Sequence, residues 1–172
     1  MIGKKRSSFD PQVRPPSNFS SETVDQIVRL IRDAEEVEEK GLEDKVSQAQ
    51  YLGAVSVEGR VVAAGAIKRK FDNHRKTVMK KSGYPALKNY SAEIGYMAVG
   101  CGHRGKGYGN RIFEALVRNY KGSLYATTRT DNEHMHRILR RHGFRCVGKA
   151  WPSIRPGKMI CLWIGEPIRG CK

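Results

Sequence analysis

Ala92-Glu93-Ile94-Gly95-Tyr96-Met97-Ala98-Val99 runs directly into Gly100-Cys101-Gly102-His103-Arg104-Gly105-Lys106-Gly107-Tyr108-Gly109-Asn110. The first eight residues read as a strand. Alternation puts Glu93, Gly95, Met97 and Val99 on one side and Ala92, Ile94, Tyr96 and Ala98 on the other. After the glycines, Asn110–Tyr120 reads as a helix, with Ile112, Leu116 and Tyr120 on one stripe and Phe113 and Val117 beside it. A strand that passes through glycines into a helix makes an anion site. The first N–H groups of the helix lack internal partners, and the helix dipole adds about half a positive charge there. Glycine lets the backbone approach a phosphate. Arg104 and Lys106 add full charges, and a guanidinium can fork onto phosphate oxygens.

Downstream of this stretch, Leu124–Arg129 reads as a short strand and Asn132–His142 as a helix ended by Gly143. Phe144–Trp151 and Met159–Ile164 form a closing strand pair around Pro152-Ser153-Ile154-Arg155-Pro156-Gly157. Upstream, residues 1–19 carry Pro11, Pro15 and Pro16 and read as an extended arm with one edge strand near Gln12–Arg14. Ser20 and Ser21 offer N-caps to a helix opening at Glu22 or Thr23, with Val24, Ile27, Val28, Ile31 and Ala34 on one face. The acid-rich stretch Glu35–Lys45 reads as helical with a break at Gly41 and a solvated charged face. Tyr51–Val57, a Glu58-Gly59-Arg60 turn and Val61–Lys68 read as a hairpin. The polar segment 69–90 shows no clear period and is too long for an ordinary loop. It is expected to be a basic insertion or a mobile lid.

This order of elements predicts an α/β (α+β) fold: a mixed, mostly antiparallel sheet of six or seven strands with helices on both faces. The strand–helix–strand unit at 92–129 should be a right-handed parallel crossover. The length of 172 residues suits one domain, here 20–172 behind the arm 1–19. The apolar fraction of 39% and charged fraction of 28% are those of a globular chain. No apolar run approaches the roughly 18–20 residues of a membrane span, so no membrane partner is expected. The basic start, followed by Ser7-Ser8-Phe9-Asp10 rather than an apolar stretch, does not resemble a secretory signal, and a cytoplasmic location is expected. Cys101, Cys146, Cys161 and Cys171 show no C-x-x-C spacing and read as free thiols. A net charge of +15 favours an acidic partner without naming it.

The glycine-rich loop admits competing readings. Gly100-Cys101-Gly102-His103-Arg104-Gly105 fits G-x-G-x-x-G, the dinucleotide fingerprint. That reading needs an acidic residue at the end of the next strand, which instead ends Thr127-Thr128-Arg129. The pattern G-x-x-x-x-G-K-[ST] is absent. A glycine turn that merely packs a helix on a strand is the plain alternative. In its sequence, however, Arg104-Gly105-Lys106-Gly107-Tyr108-Gly109 resembles the R-x-x-G-x-G/A motif of the GNAT superfamily of N-acetyltransferases. The strand 92–99 resembles that family's central strand. Asn132 through Gly143-Phe144 resembles its N-x-x-A…G-F helix.

The resemblance implies direct acyl transfer from acetyl-CoA to an amine acceptor. It implies that Met97, Ala98 and Val99 offer backbone groups to the pantetheine arm. Gly105, Gly107, Gly109 and Asn110 would hold the pyrophosphate, with Arg104, Lys106 and Tyr108 in the same loop. Asn132 would bond the cofactor, although an asparagine there also serves as a plain N-cap. Glu93 would be the general base, by likeness to the strand glutamate of the histone-acetylating branch; the plain alternative is a glutamate paired with a basic neighbour. Many relatives place a tyrosine seven residues after the asparagine as general acid. Here that position is Leu139, so the thiolate leaves unaided or another group serves, His136 being one turn earlier on the same face. His134 and His136 point apart on a helix, and no metal site is expected.

Lys68, Arg69, Lys70, Arg75, Lys76, Lys80, Lys81 and Lys88, interleaved with Phe71, Tyr84 and Tyr90, suit a solvated loop, a face toward nucleic acid, or a face toward an acidic protein or small-molecule acceptor. Two functions are therefore carried forward: amine acetylation, and modification or binding of nucleic acid through 68–88. The oligomeric state is left open, a homodimer included.

Overall fold

The computed structural model describes residues 9–34 and 40–166. The basic start, the acid-rich residues 35–39 and Cys171 lie outside the described residues. The chain divides into two compact units: residues up to Lys68 with Tyr96–Asn119, and Arg69–Gly95 with Tyr120 onward.

The first unit is built on β1 (Gln12–Arg14), β2 (Tyr51–Val57) and β3 (Arg60–Ile67). β1 and β2 are antiparallel, as are β2 and β3. The hairpin turn is tighter than the sequence suggests. Glu58 and Gly59 alone form it, both with positive φ, which matches the twist of the flanking strands. Arg60 already belongs to β3, and the strand ends at Ile67. Helix α1 (Ser21–Asp33) opens one residue before the expected start and has the expected serine cap, Ser20 Oγ accepting the amide of Thr23 at 3.2 Å. Its Ile27, Val28 and Ile31 are buried with Leu42 and Val46 of α2 (Leu42–Ser47) against Ala54, Ala64, Ala66 and Ala98. Burying each such aliphatic side chain contributes about 1.5–3 kcal/mol. The small alanines on the strands let the helices come close.

The opposite face of this unit carries α4 (Tyr108–Asn119). Gly53 and Gly65 stand across from each other in the β2–β3 register. A Cβ on Gly53 would lie 3.2 Å from Ile112, and one on Gly65 would lie 2.9 Å from Ile112 and 2.5 Å from the sulfur of Met97. This glycine pair is the seat of α4. The helix starts at Tyr108, two residues before the expected start, so Gly109 and Asn110 lie inside its first turn. A short 3-10 turn at Cys101–His103, which the sequence did not suggest, precedes it.

In the second unit, the segment 69–90, in which the sequence shows no clear period, contains regular structure. Asp72–Ser82 is helix α3 and Pro85–Asn89 a 3-10 turn. Val78, Leu87 and Tyr90 are buried with Tyr125, Trp151, Leu162 and Ile164. Arg75 ties the segment together, donating from Nη1 to the carbonyls of Lys88 and Tyr90 at 3.2 and 3.0 Å. β5 (Leu124–Arg129) and β6 (Arg145–Pro152) flank β7 (Met159–Gly165), each antiparallel to it. Helix α5 (Glu133–Arg141) precedes β6.

β4 (Ala92–Val99) runs through both units. Its first two residues, Ala92 and Glu93, pair in parallel with Leu124 and Tyr125. At Tyr96 the backbone takes φ +55, so regular alternation does not continue through that residue. The strand order is β1-β2-β3-β4-β5-β7-β6, the mixed sheet expected, with seven strands. No helix among the described residues is long and apolar enough to cross a membrane.

Candidate functional site

At the end of β4 the chain is pinned to β3 by Gly100, whose amide donates to Val62 O at 2.9 Å. The chain then turns through Cys101–His103, with His103 N donating to Gly100 O at 2.8 Å. Arg104 is exposed, and its Nε donates back to Val99 O at 3.4 Å. The guanidinium is thereby tethered to the end of the strand. Gly105 and Gly107 take φ +77 and +80, a region that disfavours any side chain. Both are exposed, and a Cβ at either would meet no atom within 4 Å. Their glycine identity is therefore not a packing requirement inside the protein; the backbone conformation and open access explain it. Lys106 is exposed between them.

Tyr108, largely buried, anchors the first turn of α4, and the first intrahelical bond is Arg111 N to Gly107 O at 3.1 Å. Tyr108, Gly109 and Asn110 thus form the first turn of α4, at the positive end of its dipole. Nδ1 of His103 is buried without a hydrogen-bond partner among the described residues, an orphan polar atom beside the loop. An open cradle of left-handed glycines, a helix N-terminus and two exposed cations fit a pyrophosphate.

Glu93 sits in the second unit and is 5% exposed. Its Oε1 accepts from Thr127 Oγ1 at 2.9 Å, and its Oε2 lies 3.1 Å from His74 Nε2. Tyr125, opposite it in the parallel register, has its phenol pushed far above the ordinary value, first by burial and then by the Glu93 charge. Glu93 thus has a histidine as its neighbour. His74 was not singled out in the sequence. It lies in the first turn of α3, a helix with no visible apolar stripe, 19 positions before Glu93.

Asn132 is the N-cap of α5, its Oδ1 accepting Met135 N at 3.1 Å. Leu139 is fully buried, which confirms the apolar character of the position where a tyrosine was sought. His136 is buried too, rather than a surface residue. Its Nε2 lies 3.0 Å from Arg129 O and 3.8 Å from Cys161 Sγ, and its ring centroid is 4.9 Å from that of Trp163. Met97 and Val99 are half-buried and Ala98 is buried. Cys101 and Cys146 are exposed free thiols, and Cys161 is a buried one. No three His, Cys, Asp or Glu side chains among the described residues are arranged to hold a metal.

Helix formation rearranges the basic segment. Tyr90 is buried, its hydroxyl donating to Glu166 at 2.8 Å, and burial followed by that carboxylate pushes its pKa up to about 12. Phe71 alone of the three aromatics is exposed, with the Arg69 guanidinium 5.6 Å from its ring. The three do not form a row of stacking faces. Thr77, Lys80 and Lys81 of α3 instead line an open groove with Lys149 and Trp151 of β6.

The acetyltransferase (GNAT) family model matches residues 20–144. No curated protein sequence matches the chain. Among solved structures, a GNAT-family acetyltransferase from Streptococcus agalactiae is similar at TM-score 0.64 and 18% identity, over 91% of this chain and 96% of that one. The ribosomal-protein-S18-alanine N-acetyltransferase of Escherichia coli is similar at 0.65 and 11%, over 91% and 94%. The ribosomal-protein-alanine N-acetyltransferase of Brucella melitensis is similar at 0.64 and 17%, over 90% and 99%. These likenesses carry the fold, and the family match, which spans most of the sequence and includes the glycine loop, carries the membership: the chain belongs to the GNAT family of acetyltransferases and is an acyltransferase.

Proposed function

We propose that this protein is an N-acetyltransferase that moves an acetyl group from acetyl-CoA directly to an amine. The observation that carries the reading is the open cradle at Gly105 and Gly107, leading into the N-terminus of α4 between Arg104 and Lys106. There the amides of the loop and of Tyr108, Gly109 and Asn110 would hold the donor's pyrophosphate. Met97, Ala98 and Val99 would present backbone groups to its pantetheine arm, an N–H there polarising the thioester carbonyl. The donor supplies an activated acyl group with a thiolate leaving group.

An amine arrives protonated and must lose a proton before it attacks. Glu93 is the carboxylate on which that deprotonation depends. It is buried, held by Thr127 and paired with a histidine. Asn132 serves the fold as a cap, and its contact with the donor is part of the same proposal. His136, locked against Arg129 O, is placed to stabilise α5, and the thiolate leaves without it. The groove of Lys80, Lys81 and Lys149 favours an acceptor that carries anionic groups.

Calorimetric titration with coenzyme A tests the donor site. Saturable binding is expected, and its absence at millimolar concentration would end the reading. Replacement of Glu93 by Gln is expected to slow turnover about 10²–10⁴-fold with donor affinity unchanged. A variant as fast as wild type removes Glu93 from the chemistry.

A further inference from the structure

Glu93 does not meet solvent directly. Its side chain is 5% exposed, and each of its oxygens already has a protein partner. The side chain of His74, by contrast, is 51% exposed. No second hydrogen bond engages its ring among the described residues. An ionised carboxylate only accepts hydrogen bonds, so with Glu93 charged the proton of the 3.1 Å contact belongs to His74 Nε2, and in the neutral ring the lone pair is then on Nδ1. Thr127 Oγ1, donating to the other carboxylate oxygen at 2.9 Å, fixes the orientation of the pair. A buried carboxylate that holds a half-exposed imidazole in one tautomer is the arrangement by which histidine bases are oriented in acyl-transfer enzymes.

We infer that His74 is the group that takes the proton from the acceptor amine, with Glu93 as the carboxylate that orients it and stabilises its charged form. This deepens the acetyltransferase reading and rests on it. In the step, the ammonium of the acceptor gives one proton to His74 Nδ1, and the freed nitrogen lone pair forms the bond to the thioester carbonyl carbon. The carbon–sulfur bond then breaks, and its electron pair leaves on the thiolate. The thiolate takes a second proton from the nitrogen. The imidazolium, faced by Glu93, returns its proton to solvent through its exposed side, so amide, thiol and one released proton account for every atom. Glu93 and Arg75 both act on the Tyr125 phenol of β5, and Arg75 pairs with Asp72 on α3 at 2.9 Å.

His74 is a surface-facing residue of α3, so His74→Ala should leave the fold intact. The expected result is a fall in kcat of about 10²–10⁴-fold with coenzyme A affinity unchanged, and recovery of about tenfold or more on adding free imidazole. Nitrogen-resolved NMR of histidine in the unliganded protein gives a readout apart from activity. Wild type should show neutral His74 protonated at Nε2, and Glu93→Leu should release it to a mixture of tautomers.

A His74→Ala enzyme at wild-type rate beside a slow Glu93→Gln enzyme would overturn the inference and leave Glu93 as the direct base. A slow His74→Ala enzyme that imidazole does not rescue, or an Nδ1-protonated ring in wild type, would overturn it as well. Failure of the wild type to bind coenzyme A would strike the acetyltransferase reading instead, and the tautomer measurement would still report on the pair.

Discussion

Gly107 shows how much of a single residue's setting is legible in the sequence and how much is not. Its position in the motif is a sequence fact, whereas φ +80 and the empty space around it are not. The open space means that Gly107→Glu need not clash with the protein. It should nonetheless weaken donor binding, because a carboxylate there repels the diphosphate and the backbone resists a side chain. A loss in coenzyme A affinity of at least about tenfold, or ~1.4 kcal/mol, is expected by calorimetry. Wild-type affinity in this variant would place the diphosphate elsewhere. The thiols make a second contrast at this scale. Burial, partly offset by the Trp163 indole N–H, pushes the Cys161 pKa up to about 11. At pH 8 only roughly one Cys161 in a thousand is then thiolate. Exposed Cys101 should be alkylated by iodoacetamide well before Cys161, and mass spectrometry of a timed reaction would show it. Equal labelling would refute the burial.

Elements differ in how openly the sequence announces them. α1 carries an apolar stripe and a serine cap, and both appear where expected. Ser20→Ala should destabilise the protein by about 1 kcal/mol in urea unfolding, since Thr23 N loses its acceptor. At α5 the cap and the proposed donor contact of Asn132 can be separated. Asn132→Asp keeps an oxygen for Met135 N and should preserve stability, while the loss of the amide group should weaken coenzyme A binding. Full affinity in this variant would reduce Asn132 to a cap. α3 was not visible because Val78 and Met79 are its only strongly apolar residues, and Val78 and Ser82 the only ones buried. Its stability comes from Arg75 reaching the carbonyls of Lys88 and Tyr90 and from the cluster around Trp151. Periodicity cannot signal a helix whose support lies in other parts of the chain.

For the molecule as a whole, the donor should act as a stabilising ligand. Coenzyme A at a hundred times its dissociation constant adds about 2.7 kcal/mol, which for a chain of this size raises Tm by roughly 5–10 °C. Gly107→Glu should show no such rise, and a rise of the same size in that variant would mean that the donor is held elsewhere. The net charge of +15 was legible in the sequence as an attraction for anions, but its distribution was not. Folding brings Lys149, far away in sequence, to Lys80 and Lys81 along one groove beside Trp151, while Tyr90 is withdrawn into the core.

The strands, the strand–loop–helix at residues 92–119 and the glycine motif were written in the sequence alone, because they rest on short-range rules: side-chain alternation, helical spacing, and the freedom of glycine at positive φ. The partners of Glu93 were decided only by the tertiary structure. His74 and Thr127 lie 19 and 34 positions away from it, one on an unannounced helix and one on a strand laid parallel. No local pattern encodes such a meeting; it follows from how the packed elements stack their side chains.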